Sequence, residues 1–264
     1  MMMYETERRH LVGVIEDLRT WELLNPAGGA VSMRLPDGNI LMSSTRLAFD
    51  RWQVSLRDFI VLTPDGAIVE RTGGLGASGT PVHLDLYRML PRAGALVHTH
   101  APYTLAFASL GIPVPSVTNR ADTFGEIPCL HADDRAVKAA FLARPVPLDL
   151  PEGTVQRPEV AAVNLLEYRP QLEEVIASRA SELERHGLAF TLYRHGAFTI
   201  GRHVEETVDL MLRLEETART ALLQAQLTGG VVYPNRLYGP ERQTYVGATN
   251  VTPVSSYLTG RDSI

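Results

Sequence analysis

The segment best equipped for chemistry is His98-Thr99-His100. It closes the apolar run Gly94-Ala95-Leu96-Val97, which reads as a buried strand. In an extended chain, residues two apart project to the same side, so the two imidazoles face one point in space. First-row divalent ions favour imidazole nitrogen, and a catalytic site needs about three protein ligands plus an open position for water or substrate. His195 supplies a third imidazole: it follows the apolar segment Leu188–Tyr193 and precedes Gly196. A His-x-His pair alone is weak, because many such pairs are structural; its place at the end of an apolar strand strengthens it. The expectation is one divalent ion per chain on His98, His100 and His195, with zinc first and manganese or iron as alternatives.

The elements that must position these residues alternate in type. From about Glu5 to Leu24 apolar residues recur at helical spacing (Leu11, Val14, Ile15, Leu18, Leu23), until Asn25-Pro26-Ala27-Gly28-Gly29 stops the helix. Ala30–Arg34, Asn39–Ser43, Phe59–Leu62 and Ala67–Glu70 read as strands of two hairpins, turning at Pro36-Asp37-Gly38 and Pro64-Asp65-Gly66. Thr80-Pro81 opens a helix to Leu90, with threonine as cap and proline at the first helical position. Tyr103–Leu110 reads as a helix behind the histidine strand, and Leu165–Arg185 as another. Leu188–Tyr193 and Ala197–Ile200 read as paired strands around Arg194-His195-Gly196, and His203–Leu227 as a long amphipathic helix. The proline-broken stretch Ala132–Pro158 reads as a surface excursion. Residues 1–228 are thus expected to form one catalytic domain. Residues 229–264, rich in Gly, Pro, Thr and Tyr, are expected to form a tail that is disordered or laid across a neighbouring subunit.

Composition removes several alternatives. A chain of 264 residues with 45% hydrophobic and 21% charged residues can bury an ordinary globular core. A formal charge of −5, without a lysine- and arginine-rich helical face, argues against nucleic acid as a partner. The single cysteine, Cys129, allows no intrachain disulfide and no four-cysteine zinc site, which suits a reducing compartment. Glu5, Glu7, Arg8 and Arg9 stand where a secretory leader would be apolar, and no run of about 18 apolar residues suggests a membrane span. A cytoplasmic protein acting on a small molecule is the simplest expectation.

The stretch Gly94-Ala95-Leu96-Val97-His98-Thr99-His100-Ala101-Pro102-Tyr103 resembles the metal-binding strand of class II sugar-phosphate aldolases, related epimerases and adducin head domains. Ser78-Gly79-Thr80-Pro81-Val82-His83-Leu84, with Tyr87-Arg88, resembles the helix start upstream of that strand. Tyr193-Arg194-His195-Gly196, followed by Gly201 and the helix bearing Glu215, resembles the third-histidine segment. The likeness runs from about Leu11 to Ala225 with the motifs in order. It implies a three-layer α/β/α fold with a largely antiparallel central sheet. It also implies a ring-shaped homotetramer with active sites between subunits.

The departures bear on function. Aldolases of the family carry a glutamate acid/base in a Ser-Ser-Glu type motif, which here reads Ala77-Ser78-Gly79. Their phosphate-binding Gly-Asn turn falls on Gly29-Ala30, and their Thr-Gly loop on Thr45-Arg46. The substrate is therefore expected not to be a plain sugar phosphate. Arg46 suits a carboxylate held through a forked pair of hydrogen bonds, with Ser78, Gly29 and Arg120 as further substrate contacts. Glu126 and Asp85 are the candidates to replace the missing acid/base, against the plainer readings of a loop glutamate and a helix-surface aspartate. His83 reads as a cap or packing residue, His131 as solvated and Cys129 as a small apolar residue. Tyr233, Tyr238 and Tyr245 could reach a neighbour's site, as a C-terminal tyrosine does in aldolases of the family.

A divalent ion beside a carbonyl acts as a Lewis acid that stabilises the enolate left when a carbon–carbon bond breaks. Retro-aldol cleavage and decarboxylation share that step, and decarboxylation better tolerates loss of the glutamate, having no hydroxyl proton to remove. The expected activity is thus that of a metal-dependent carbon–carbon lyase. Two alternatives are an iron-dependent oxygenase on the same three-histidine frame and a non-enzymatic scaffold of adducin type; the second is disfavoured because all three histidines are kept.

Overall fold

A computed structural model describes residues 2–43, 52–73, 80–131, 165–229, 231–232 and 252–253. Helix α1 spans Glu5–Thr20, followed by strands β1 (Gly29–Arg34), β2 (Ile40–Ser43), β3 (Phe59–Leu62) and β4 (Ile68–Arg71). Helix α2 (Thr80–Met89), strand β5 (Ala95–Thr99), helix α3 (Pro102–Leu110) and the short strand β6 (Cys129–Leu130) come next. Helix α4 (Leu165–Arg179), strands β7 (Leu188–Leu192) and β8 (Gly196–Gly201) and helix α5 (Val204–Leu227) complete the main body. The excursion at Ala132–Pro158, together with Arg46, Ser78, Gly79 and the three tail tyrosines, lies outside the described residues. Of the tail, Val231–Val232 pairs antiparallel with Thr252–Pro253.

The eight strands form one sheet in the order β4-β3-β2-β1-β5-β8-β7-β6, antiparallel throughout except for β6 beside β7. Both proposed hairpins are present. Each turn closes on a glycine with positive φ, Gly38 at 89° and Gly66 at 95°, where a side chain would be strained.

Alternation along the strands divides the core into two layers. Val31, Leu41, Val61, Ala95, Val97 and Ala197 pack against α1, α3 and α5. Ala30, Ile40, Ile60, Leu96, Phe198 and Ile200 pack against α2 and α4. The result is the expected three-layer α/β/α arrangement with a largely antiparallel sheet.

Helix α1 ends four residues before the expected stop. Glu22 takes the left-handed conformation (φ 61°), and the Leu23 N–H reaches back to the Leu18 carbonyl at 2.9 Å. This reversal turns Leu23 and Leu24 into the core, where they are 1% and 2% exposed. Apolar periodicity alone read these two leucines as another helical turn. The second long helix likewise gives way to a 3₁₀ turn at Ala180–Glu184 before Arg185.

Candidate metal centre

β5 is the middle of the sheet, paired with β1 on one side and β8 on the other, and buried along its whole length. Leu96 and His98 share its α2 face, whereas Thr99 points to α5 and donates to the Met211 sulfur. His98 is 5% exposed and stacks on Phe198, its cross-strand neighbour, at 4.1 Å. His100 lies one residue beyond the ladder, its carbonyl accepting from Asn25 Nδ2 at 2.9 Å. His195 sits in the tight connection between β7 and β8.

These three elements bring the imidazoles together. The ring centroids of His98, His100 and His195 form a triangle with every side 4.9 Å. One ligand-capable nitrogen from each lies within 4.8 Å of the other two. His98 Nε2 and His100 Nε2 are 3.1 Å apart. Two imidazole nitrogens bound to one tetrahedral zinc at ordinary bond lengths lie about 3.3 Å apart, so the donor set fits a single ion.

The protonation states suit ligation. Burial, followed by the neighbouring His195 and His100, holds His98 well below the ordinary imidazole range. Burial and His100 push His195 down to about 4. Both are therefore neutral at physiological pH, as a metal ligand must be.

Gly196 shows how closely this corner is packed. A Cβ there would lie 2.3 Å from the Thr99 carbonyl oxygen and 2.9 Å from His100 Cδ2, at a φ of 154°. Only glycine lets the β7–β8 connection approach β5 closely enough for His195 to join the pair.

The other sequence candidates are spread more widely. Gly29 opens β1 opposite Thr99, with its α-carbon against the His98 carbonyl and Leu24. Asp85 faces away from His83 on α2 and is paired with Arg88. Glu126 is exposed on the loop before β6, its carbonyl accepting from Arg179. Arg120 is exposed at the start of a 3₁₀ turn, Ala121–Thr123. His131 is half-buried rather than simply solvated: Nε2 lies 2.7 Å from the Gly111 carbonyl and the ring stacks on Tyr193. Cys129 is also half-buried.

Sequence reading assigned no role to three further features. Glu215 is buried on α5 and caps the start of α3. Its signal was a carboxylate on the apolar face formed by Met211, Leu214 and Ala218. Arg194, next to His195, is exposed and adopts a left-handed backbone (φ 58°) usually left to glycine or asparagine. A cleft of about 300 Å³ opens beside the start of α3, with Trp21, Tyr103, Leu212 and Arg219 in its wall.

The model of the class II aldolase and adducin N-terminal domain matches residues 9–222, most of the chain. The protein belongs to the class II aldolase and adducin family. Among its relatives, the L-ribulose-5-phosphate 4-epimerase UlaF of Salmonella paratyphi C is 30% identical over 187 residues, covering 70% of this chain and 69% of that protein. A solved aldolase II superfamily protein from Pseudomonas syringae superposes with a TM-score of 0.63 at 18% identity, covering 89% of this chain and 83% of that one. The l-fuculose-1-phosphate aldolase from Thermus thermophilus gives 0.56 at 22% identity, over 89% and 99%. These structures share the fold of the family. Among the described residues, no helix of this class II aldolase family member is long and apolar enough to cross a membrane.

Proposed function

We propose that this protein is a divalent-metal-dependent lyase that cleaves a carbon–carbon bond, by retro-aldol reaction or decarboxylation, in a small carbonyl- or carboxylate-bearing substrate. The observation that carries the reading is the convergence of His98, His100 and His195 within reach of one ion, with His98 and His195 neutral. An ion held there, zinc first among the candidates, would supply Lewis acidity to a substrate carbonyl. The three histidines would hold such an ion and leave it open to substrate, as a catalytic rather than a structural site requires.

The chain's own residues favour a substrate other than a plain sugar phosphate. Gly79 offers no carboxylate where aldolases of the family place their acid/base. Ala30, buried directly across from His98, presents a methyl where their phosphate turn presents an amide. Arg46, Ser78, Gly29 and Arg120 are assigned to substrate binding. Glu126 and Asp85 are assigned to proton transfer, and Asp85 must first leave Arg88 to take part. The names of the relatives point the other way, since the epimerase and the aldolase act on sugar phosphates; the substituted positions weigh more because they are this chain's own.

A panel of sugar phosphates, 2-oxo acids and hydroxylated aromatic acids, assayed with zinc, manganese and iron(II), with and without oxygen, tests the reading. Cleavage of a non-phosphorylated acid or carbonyl compound is expected. Efficient turnover of a sugar phosphate would sink the substrate class, and strict dependence on iron(II) with oxygen would make the protein an oxygenase.

The proposal extends to assembly and place. Residues 1–228 form the catalytic domain and 229–264 a tail packed on a neighbouring subunit of a cytoplasmic homotetramer, its sites near the interfaces. Light scattering should give a mass near four chains; a stable, active monomer contradicts shared sites.

A further inference from the structure

The first N–H groups of an α-helix have no partner within the helix, and a Ser, Thr, Asp or Asn at the N-cap ordinarily supplies one. Helix α3 has no such local cap: its N-cap is Ala101, with Pro102 behind it. Proline lacks an N–H, so the donors to be satisfied are those of Tyr103 and Thr104. Glu215 satisfies both from α5, more than a hundred residues away in sequence. Oε1 accepts from Tyr103 N at 2.8 Å, and Oε2 accepts from Thr104 N at 2.8 Å and from Thr104 Oγ1 at 2.6 Å. The residue is 9% exposed, and its negative charge meets the positive end of the helix dipole.

This cap has a consequence for the histidines because of where α3 begins. β5 ends at Thr99 and α3 starts at Pro102, so His100 belongs to a link of two residues. No sheet ladder holds it. On one side the His100 carbonyl is held by Asn25, whose own carbonyl accepts from the Trp52 indole at 2.7 Å. On the other side the chain is held by Glu215. The His100 imidazole must nevertheless keep its Nε2 at 3.1 Å from that of His98.

We infer that Glu215 is a positioning residue of the metal centre, fixing the first turn of α3 and through it the backbone and imidazole direction of His100. The inference rests on the proposed metal site. Partners that orient a ligand commonly contribute tenfold to a hundredfold in metal affinity.

The experiment compares wild type, Glu215→Ala and Glu215→Gln by zinc titration against a metal buffer and by the visible absorption of the cobalt(II)-loaded proteins. Far-ultraviolet circular dichroism of the metal-free forms checks folding. Arg8→Met serves as a control, because it removes a buried anchor between α1 and the β3–β4 hairpin. The expected result is about tenfold to hundredfold weaker zinc binding and an altered cobalt spectrum in the alanine variant. The glutamine variant should fall between, since it keeps one acceptor and sets an amide N–H against the second donor. Arg8→Met should lower the melting temperature and leave affinity and spectrum as in wild type. Should the alanine variant not fold, Thr104→Val is read in its place, with a loss of about threefold. Unchanged affinity and spectrum in a folded variant overturn the inference, and so does an equal loss in Arg8→Met, which would make the effect general destabilisation. A wild type that takes up no metal sinks the metal reading and this one with it. Wild-type uptake with unchanged variants sinks this one alone.

Discussion

Nδ1 of His98 lies 2.8 Å from the carbonyl oxygen of Ala197, on the neighbouring strand. A carbonyl can only accept, so Nδ1 must carry the hydrogen and Nε2 is left with its lone pair toward His100. The backbone of β8 thereby sets the tautomer of His98 on β5. Histidine-selective nitrogen NMR of the metal-free protein should show one buried histidine locked as the Nδ1–H form, its signal absent from His98→Gln. An Nε2–H form for His98 would contradict the arrangement.

Gly196→Ala should be disproportionately harmful for a change of one methyl group. Its Cβ would meet the Thr99 carbonyl oxygen at 2.3 Å and His98 Cε1 at 3.2 Å. The β7–β8 connection would have to move away from β5, carrying His195 with it. A loss of about 2–3 kcal/mol in urea unfolding is expected, together with weaker metal binding. A variant that unfolds and binds metal like wild type would show that the connection is not held so tightly.

His83 makes a pH-dependent contribution with a definite sign. It is fully buried on α2, with Nδ1 2.7 Å from Ser32 Oγ, which in turn meets the Tyr87 hydroxyl at 3.0 Å. Among the described residues its Nε2 has no partner, and burial pushes the group down to about 3 from an ordinary value of 6.5. The unfolded chain therefore binds a proton below pH 6.5 that the folded protein refuses until about pH 3. Stability from this residue is full above 6.5 and falls across that window, by up to about 1.4 kcal/mol per pH unit. For metal-free protein, the difference in unfolding free energy between wild type and His83→Leu should shift against wild type from pH 7 to pH 5. Parallel profiles would mean that His83 is accessible to protons when folded.

Arg8 should be among the most sensitive positions of α1. Its guanidinium is fully buried and donates to the carbonyls of Met3 at 2.8 Å and Leu56 at 2.9 Å and to Glu70 at 2.6 Å. Arg8→Met leaves those acceptors unpaired and should cost about 3 kcal/mol or more in urea unfolding. A loss below about 1 kcal/mol, typical of a surface ion pair, would contradict the buried anchor.

What was legible in the sequence was what local pattern determines. The apolar run from Gly94 to His98 marked a buried strand and so placed His98 and His100 on one side; Pro-Asp-Gly marked two hairpin turns; and the apolar run before His195 put it at a strand end. Features that depend on distant partners were not legible. Arg8 lies on the same helical face as Leu11, Ile15 and Leu18, yet its distant acceptors come from the Leu56 carbonyl and the β3–β4 hairpin, far along the chain. Glu215 shares an apolar stripe with Met211 and Leu214, and its purpose emerges only when α3 arrives without a cap of its own. Glu22 ends α1 in a conformation its side chain gives no reason to expect.

The three-histidine centre stands or falls on metal content. After reconstitution with zinc and removal of loosely bound ions, elemental analysis of wild type should find close to one divalent ion per chain. His195→Ala, with circular dichroism unchanged, should retain almost none, because the remaining pair, His98 and His100, offers two ligands where a tight site needs about three. One ion per chain in His195→Ala, or none in wild type, would contradict the assignment of His98, His100 and His195 as the ligand set.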